Sequence, residues 1–165
     1  MDLRSILMHL QCELVAERSL VNPLDISWLQ YDVLLQLDRE HEMLPSELSL
    51  VMGISRTKLS KALKSLKVMG YVRQTPSKSD GRELRTSITE SGRRLLEDIS
   101  LQHTSLYETA IRSMTKDELE VFARLSEKLS SSVKQQRIAS HALSQEGYRF
   151  AQLRGLDPNP RCQDT

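Results

Sequence analysis

A mainly α-helical fold carrying one small β-hairpin is predicted by three features of the 165-residue chain. Apolar residues recur at helical spacing through most of it, a glycine-punctuated turn joins two short helices near residue 53, and an Asp-Gly turn separates two short alternating runs near residue 80. At this length one hydrophobic core folds without disulfide or metal staples. The only cysteines, Cys12 and Cys162, lie far apart and outside any metal-binding spacing, so reduced thiols are expected. The apolar runs are too short for a membrane span, and MDLRSILMHL lacks the core of a signal peptide. A cytoplasmic protein is the expectation.

The first helix follows from Leu3, Ile6, Leu7, Leu10 and Leu14, one apolar stripe that ends before Asn22-Pro23. Ser27 and Gln30 have capping-box spacing, with Ile26 set to staple onto Tyr31, so a second helix runs from Trp28 to Leu37 with Leu29, Val33 and Leu37 inward. Pro45 opens a third helix, which Gly53 ends, and Ser55 caps a fourth. Leu48, Met52, Ile54, Leu59 and Ala62 close this pair onto itself, with small Ser49 at the crossing. That is helix-turn-helix spacing.

The fourth helix, SRTKLSKALKSLKVMG, buries Leu59, Ala62, Leu63, Leu66 and Met69 on this reading. It leaves Arg56, Thr57, Lys58, Ser60, Lys61, Lys64 and Lys67 outside, without one acid. Solvated faces ordinarily interleave Glu with Lys, whereas an all-donor face suits the edges of a DNA major groove. Charge along the chain agrees. Net charge is only +1, yet Met52 to Arg94 holds eleven bases against three acids, a surplus of eight. Such a concentration fits a polyanion.

Tyr71 to Arg73 and Leu84 to Thr89 read as two strands of a hairpin whose tip, Pro76 to Glu83, turns at Asp80-Gly81. A hairpin after a recognition helix is a wing, and Arg82 at its tip suits a narrow minor groove. Asp80 either orients Arg82 or merely makes the bend. The expected DNA-contacting set is Ser46, Ser55, Arg56, Thr57, Lys58, Ser60, Lys61, Lys64, Arg73, Lys78, Ser79, Asp80, Gly81, Arg82 and Arg85.

Thr89 caps a further helix with Leu95, Leu96, Ile99, Leu106 and Ala110 on one face, and Thr115 with Glu118 boxes the last one, which runs past Leu129 and Val133. Three long amphipathic helices exceed what a small winged domain covers, so a two-fold partner is expected. His103 falls on that seam as an interface histidine satisfied by a hydrogen bond. The tail from Ile138 reads either as one more helix around Tyr148, Phe150, Ala151 and Leu153 or as a loose extension. Residues 1–24 and 89–137 thus form a dimerisation region, 25–88 the winged domain, and 138–165 an extension of unknown role.

The order ISWLQYDVLLQL, PSELSLVMGISRTKLSKALKSLKVMGYV, SDGRELRTSITESGRRLL resembles the MarR family of bacterial winged helix-turn-helix regulators. The Asp80-x-Arg82 wing followed by Ile88-Thr89-Glu90-Ser91-Gly92 is the most specific part. The resemblance implies a homodimeric repressor on a pseudo-palindromic operator, released when a small phenolic or other ligand, or oxidation, respaces its recognition helices. It implies an effector site near the first, second and fifth helices, where Cys12, Trp28 and Tyr31 are candidates by position, with core packing as the plainer role. Leu44 stands where the family usually has a hydroxyl cap, and Gly81 where a base is frequent.

Cys12 is expected to be buried as a small hydrophobe, with thiol-based redox sensing as the alternative. No cofactor motif, catalytic constellation or paired histidines appear, so neither an enzyme nor a metal sensor is expected. A winged helix used for protein contacts is the remaining alternative, which the all-basic face disfavours.

Overall fold

The computed structural model describes residues 2–20, 25–77 and 83–153. Helix α1 (Leu3–Ser19) starts where Asp2 Oδ1 accepts the Ser5 amide at 2.8 Å, a cap that satisfies one orphan N–H of the first turn. Helix α2 (Trp28–Glu40) opens on the expected capping box: the Gln30 amide donates to Ser27 Oγ at 3.3 Å, and the Ser27 amide to Gln30 Oε1 at 2.7 Å. It runs three residues past Leu37 and stops at His41, whose φ of 66° leaves the helical region. The two-residue strand β1 (Glu42–Met43) follows, which no alternation in so short a run announces.

Helix α3 (Pro45–Met52) ends at Gly53, whose φ of 65° lies in the left-handed region that glycine enters without penalty. Leu44 offers no side-chain acceptor at its start. Glu47 supplies half a box instead, accepting the Leu44 amide at 2.8 Å. Helix α4 (Arg56–Val68) begins with the Lys58 amide donating to Ser55 Oγ at 3.3 Å. Strands β2 (Val72–Pro76) and β3 (Leu84–Ile88) pair antiparallel, Val72 opposite Ile88 through Pro76 opposite Leu84, and β1 joins the other side of β3, giving the order β1-β3-β2. Strand β2 is longer than expected, and Pro76 is tolerated because the strand is an edge. The tip residues Lys78, Ser79, Asp80, Gly81 and Arg82 lie outside the described residues.

The expected single helix from Thr89 onward is two. Helix α5 (Glu90–Gln102) ends at His103, and α6 (Ser105–Ser113) starts again after Thr104. His103 sits at φ −100° and ψ 49°, with its ring edge-on to Trp28 at 5.1 Å, so a tertiary contact interrupts an otherwise continuous pattern. Helix α7 (Lys116–Leu153) starts on the Thr115–Glu118 box and continues unbroken through the stretch expected to form a separate tail helix.

The core lies within the winged unit. Val33, Leu34 and Leu37 of α2, Leu48 of α3, and Leu59 and Leu66 of α4 are all at most 1% exposed, as is Ile99 of α5. Leu34, not among the expected inward residues, is fully enclosed, and Met69, expected inside, is 36% exposed at the C-cap of α4. Gly92 shows why the Ile88 to Gly92 spacing matters. A Cβ there would stand 2.4 Å from the Tyr71 carbonyl oxygen, which accepts the Thr89 amide at 3.0 Å, so α5 approaches β2 as closely as backbone allows.

Candidate nucleic-acid interface

Helix α4 divides cleanly. Leu59, Ala62, Leu63 and Leu66 face the core, while Arg56, Thr57, Lys58, Ser60, Lys61, Lys64 and Lys67 are all exposed. Among the described residues, no acid pairs with Arg56, Lys58, Lys61 or Lys64, so their charge is presented to solvent. Uncompensated cations at helical spacing cost little in water and are rewarded when counterions leave a phosphate backbone.

Two clefts flank the helix. One of about 460 Å³ between α3, α4 and β2 is lined by Ser46, Arg56, Ser60, Lys64, Lys67 and Gln74. The other, of about 480 Å³, places Lys58 and Lys61 beside Ser27 and Gln30 at the start of α2. Gln74 joins helix to sheet: its Nε2 donates to Thr86 Oγ1 at 3.3 Å, and Lys67 Nζ donates to its Oε1 at 3.4 Å. Sequence reasoning passed over Gln74, since an isolated amide in a short strand carries no periodic signal.

The sheet arginines differ from the helix bases. Strand alternation puts Arg73 and Arg85 on the face opposite Gln74 and Thr86. Arg73 Nε donates to Ser87 Oγ across the strands at 3.1 Å. Arg85 turns inward. Its buried Nε lies 3.1 Å from Glu42 Oε1, an ion-pair distance without hydrogen-bond alignment, and its Nη2 lies 3.7 Å from Glu47. Two carboxylates neutralise it, so it ties β3 to β1 and the start of α3.

Trp28 and Tyr31 pack together, ring centroids 5.4 Å apart and edge-to-face. The Arg18 guanidinium lies 4.3 Å over Trp28 and pairs with Asp32 at 2.5 Å, and His103 closes the other edge. Burial pushes the Tyr31 hydroxyl's pKa up, against a smaller opposing pull from Arg18 and a further push from Asp32. Among the described residues His103 Nε2 is buried without a hydrogen-bond partner, so the bond expected at a subunit seam is not made within the chain itself. Cys12 is exposed on α1, and no residue of that helix is buried, so its expected burial is not met within the single chain. Arg18 was missed because a lone base in a last turn ordinarily just complements the helix dipole.

A capped basic helix behind a short turn, followed by a paired hairpin, defines the winged helix-turn-helix class, whose usual ligand is duplex DNA. The sequence profile of the MarR family matches residues 24–83. The transcriptional repressor MprA of Escherichia coli K12 is 30% identical over 123 residues, 71% of this chain and 70% of that one. The HTH-type transcriptional regulator PapX of Escherichia coli is 28% identical over 96 residues, and the match spans 58% of either chain.

Among solved structures, wild-type apo MarR of Escherichia coli superposes with a TM-score of 0.62 at 25% identity, covering 78% of this chain and 97% of that one. A mutant of MarR from Escherichia coli complexed with operator DNA gives a TM-score of 0.54 at 23% identity, over 78% and 99%. The chain belongs to the MarR family. At that level it is a DNA-binding regulator and not an enzyme.

Proposed function

We propose that this chain is a homodimeric repressor that places α4 in the major groove of a pseudo-palindromic operator, with the hairpin tip against the adjacent minor groove. The outward face of α4, which holds no acid and pairs with none among the described residues, is the observation that carries the reading. Ser46, Ser55, Arg56, Thr57, Lys58, Ser60, Lys61 and Lys64 are its contacting residues, with Lys78, Ser79, Asp80, Gly81 and Arg82 at the tip and Arg73 on the backbone side. Arg85, already neutralised, acts as scaffold.

Self-association is supported by the exposed apolar residues of α1, α6 and α7, Leu3, Leu106 and Leu125 among them. Paired recognition helices then meet half-sites about one helical turn, ~34 Å, apart. No helix among the described residues is long and apolar enough to cross a membrane, and the reading places the protein in the cytoplasm. The operator complex of the MarR relative supports the DNA partner. The Trp28–Tyr31 cluster is the place for a small-molecule effector.

Titrating the protein against its own upstream DNA at two salt concentrations tests this. Specific binding that falls steeply with salt is expected, and Lys58→Ala should lower the slope of log affinity against log salt by about one. Equal affinity for random duplex sinks the reading.

A further inference from the structure

Helix α7 has two working faces. Val121, Phe122, Leu125, Leu129 and Val133 are exposed and apolar, whereas Glu127, Lys134, Arg137, Ile138 and His141 turn toward the winged unit. At roughly 100° per residue the two sets centre on different sides of one helix and meet where Arg137 follows Val133 by one turn. The inner set forms a ladder. Glu127 pairs with Arg39 at 2.6 Å and Lys134 with Glu40 at 2.6 Å, both on the last turn of α2. Ile138 packs on the core cluster, and His141 lines a cleft with Ser55 and Arg56, where α4 begins.

Between them Arg137 reaches the helix-turn-helix itself. Its Nη1 donates to the Val51 carbonyl in the last turn of α3, a group with no partner inside its own helix. A cation is also favoured at that end of a helix. Its stem lies across the turn, with Cδ only 3.0 Å from where a Cβ on Gly53 would stand. The turn that aims α4 is therefore braced by the helix whose other side carries apolar surface to a second subunit.

We propose that Arg137 is a positioning residue for operator reading: it locks the α3–α4 turn to α7, so the dimer seam sets the separation and tilt of the two recognition helices. This rests on the operator-binding dimer proposed above. A rigid brace penalises wrongly spaced half-sites, whereas a loose one lets each winged unit adjust.

The test uses full-length wild type and Arg137→Ala with duplexes carrying the inverted repeat of the upstream DNA, the half-sites respaced by one base pair either way. Wild type should prefer one spacing. Arg137→Ala should keep the dimer, the non-specific affinity and the salt slope, while its preference for the correct spacing falls by about threefold or more. An unchanged preference overturns the inference, as does a salt slope reduced by about one, which marks Arg137 as a direct phosphate contact. Should Arg137→Ala not fold, Arg137→Met, which keeps an apolar stem across Gly53 but removes the donor to the Val51 carbonyl, is held to the same outcomes. Wild type that binds no duplex over random DNA brings down the operator reading and the brace with it, a result separable from an unchanged preference in an active protein.

Discussion

Helices α2 to α5 with the sheet, and the arms α1, α6 and α7, carry similar apolar patterns and spend them differently. In the winged unit the stripes close on each other, and Val33, Leu34, Leu37, Leu48 and Leu66 are sealed from solvent. In the arms the same periodicity leaves Leu7, Leu10 and Leu14 of α1 about 40% exposed, and Leu125 and Leu129 of α7 about half exposed. Periodicity therefore announces that a face must be covered, and not by what. The winged unit supplies its own cover; the arms leave theirs exposed.

The sharpest way to break that contrast is to charge the arm. The double change Leu125→Asp, Leu129→Asp should convert the dimer to monomer in light scattering, at upward of roughly 3 kcal/mol of association free energy, because unpaired carboxylates would be buried at the seam. The near-UV spectrum of the winged unit should survive. A dimer that persists would show that this face of α7 is not the seam.

A middle-sized effect is expected inside the winged unit. Gly92→Ala should cost about 1–3 kcal/mol in urea unfolding, since the new Cβ meets the Tyr71 carbonyl oxygen and α5 must shift from the sheet. An equally stable variant would mean that the α5–β2 approach is softer than its geometry.

The smallest effect lies where the regions meet. The hydrogen bond and charge of Lys134 hold the Glu40 carboxyl below its ordinary pKa. A depressed carboxylate contributes stability above its unfolded pKa and loses it as pH falls through the folded value, so the contribution disappears below the usual carboxylate range. Both side chains are partly exposed, so about 0.5 kcal/mol or less is at stake. Lys134→Met should therefore be slightly less stable than wild type at neutral pH and equal to it in strong acid. A difference that persists in acid would assign it to packing of the lysine stem.

Local chemistry was legible where a signal and its target lie within a few residues. The Ser27–Gln30 box, the Ser55 cap and the Thr115–Glu118 box each act across three residues, Pro45 and Gly53 each act within the turn they open or close, and each forms as its spacing requires. The basic face of α4 was legible for the same reason, since inner and outer residues alternate within each helical turn. Misreadings arose where distant residues decide. Strand β1 exists only because β3 pairs with it, the break at His103 accompanies a contact with Trp28, and Arg85 is claimed by Glu42 and Glu47.

The sequence by itself determined most of the helices, their caps, the acid-free face of α4 and the surplus of unpartnered apolar stripes, because helical periodicity and capping are short-range and repeat along the chain. Only the tertiary structure decided which charges are free and which are spent. It alone showed Arg85 neutralised, Arg18 laid over Trp28, and Arg137 braced on the α3–α4 turn. An ion pair or an orphan carbonyl is satisfied by whatever folding brings within about 3 Å, and in Arg137 and Val51 that partner lies 86 positions away.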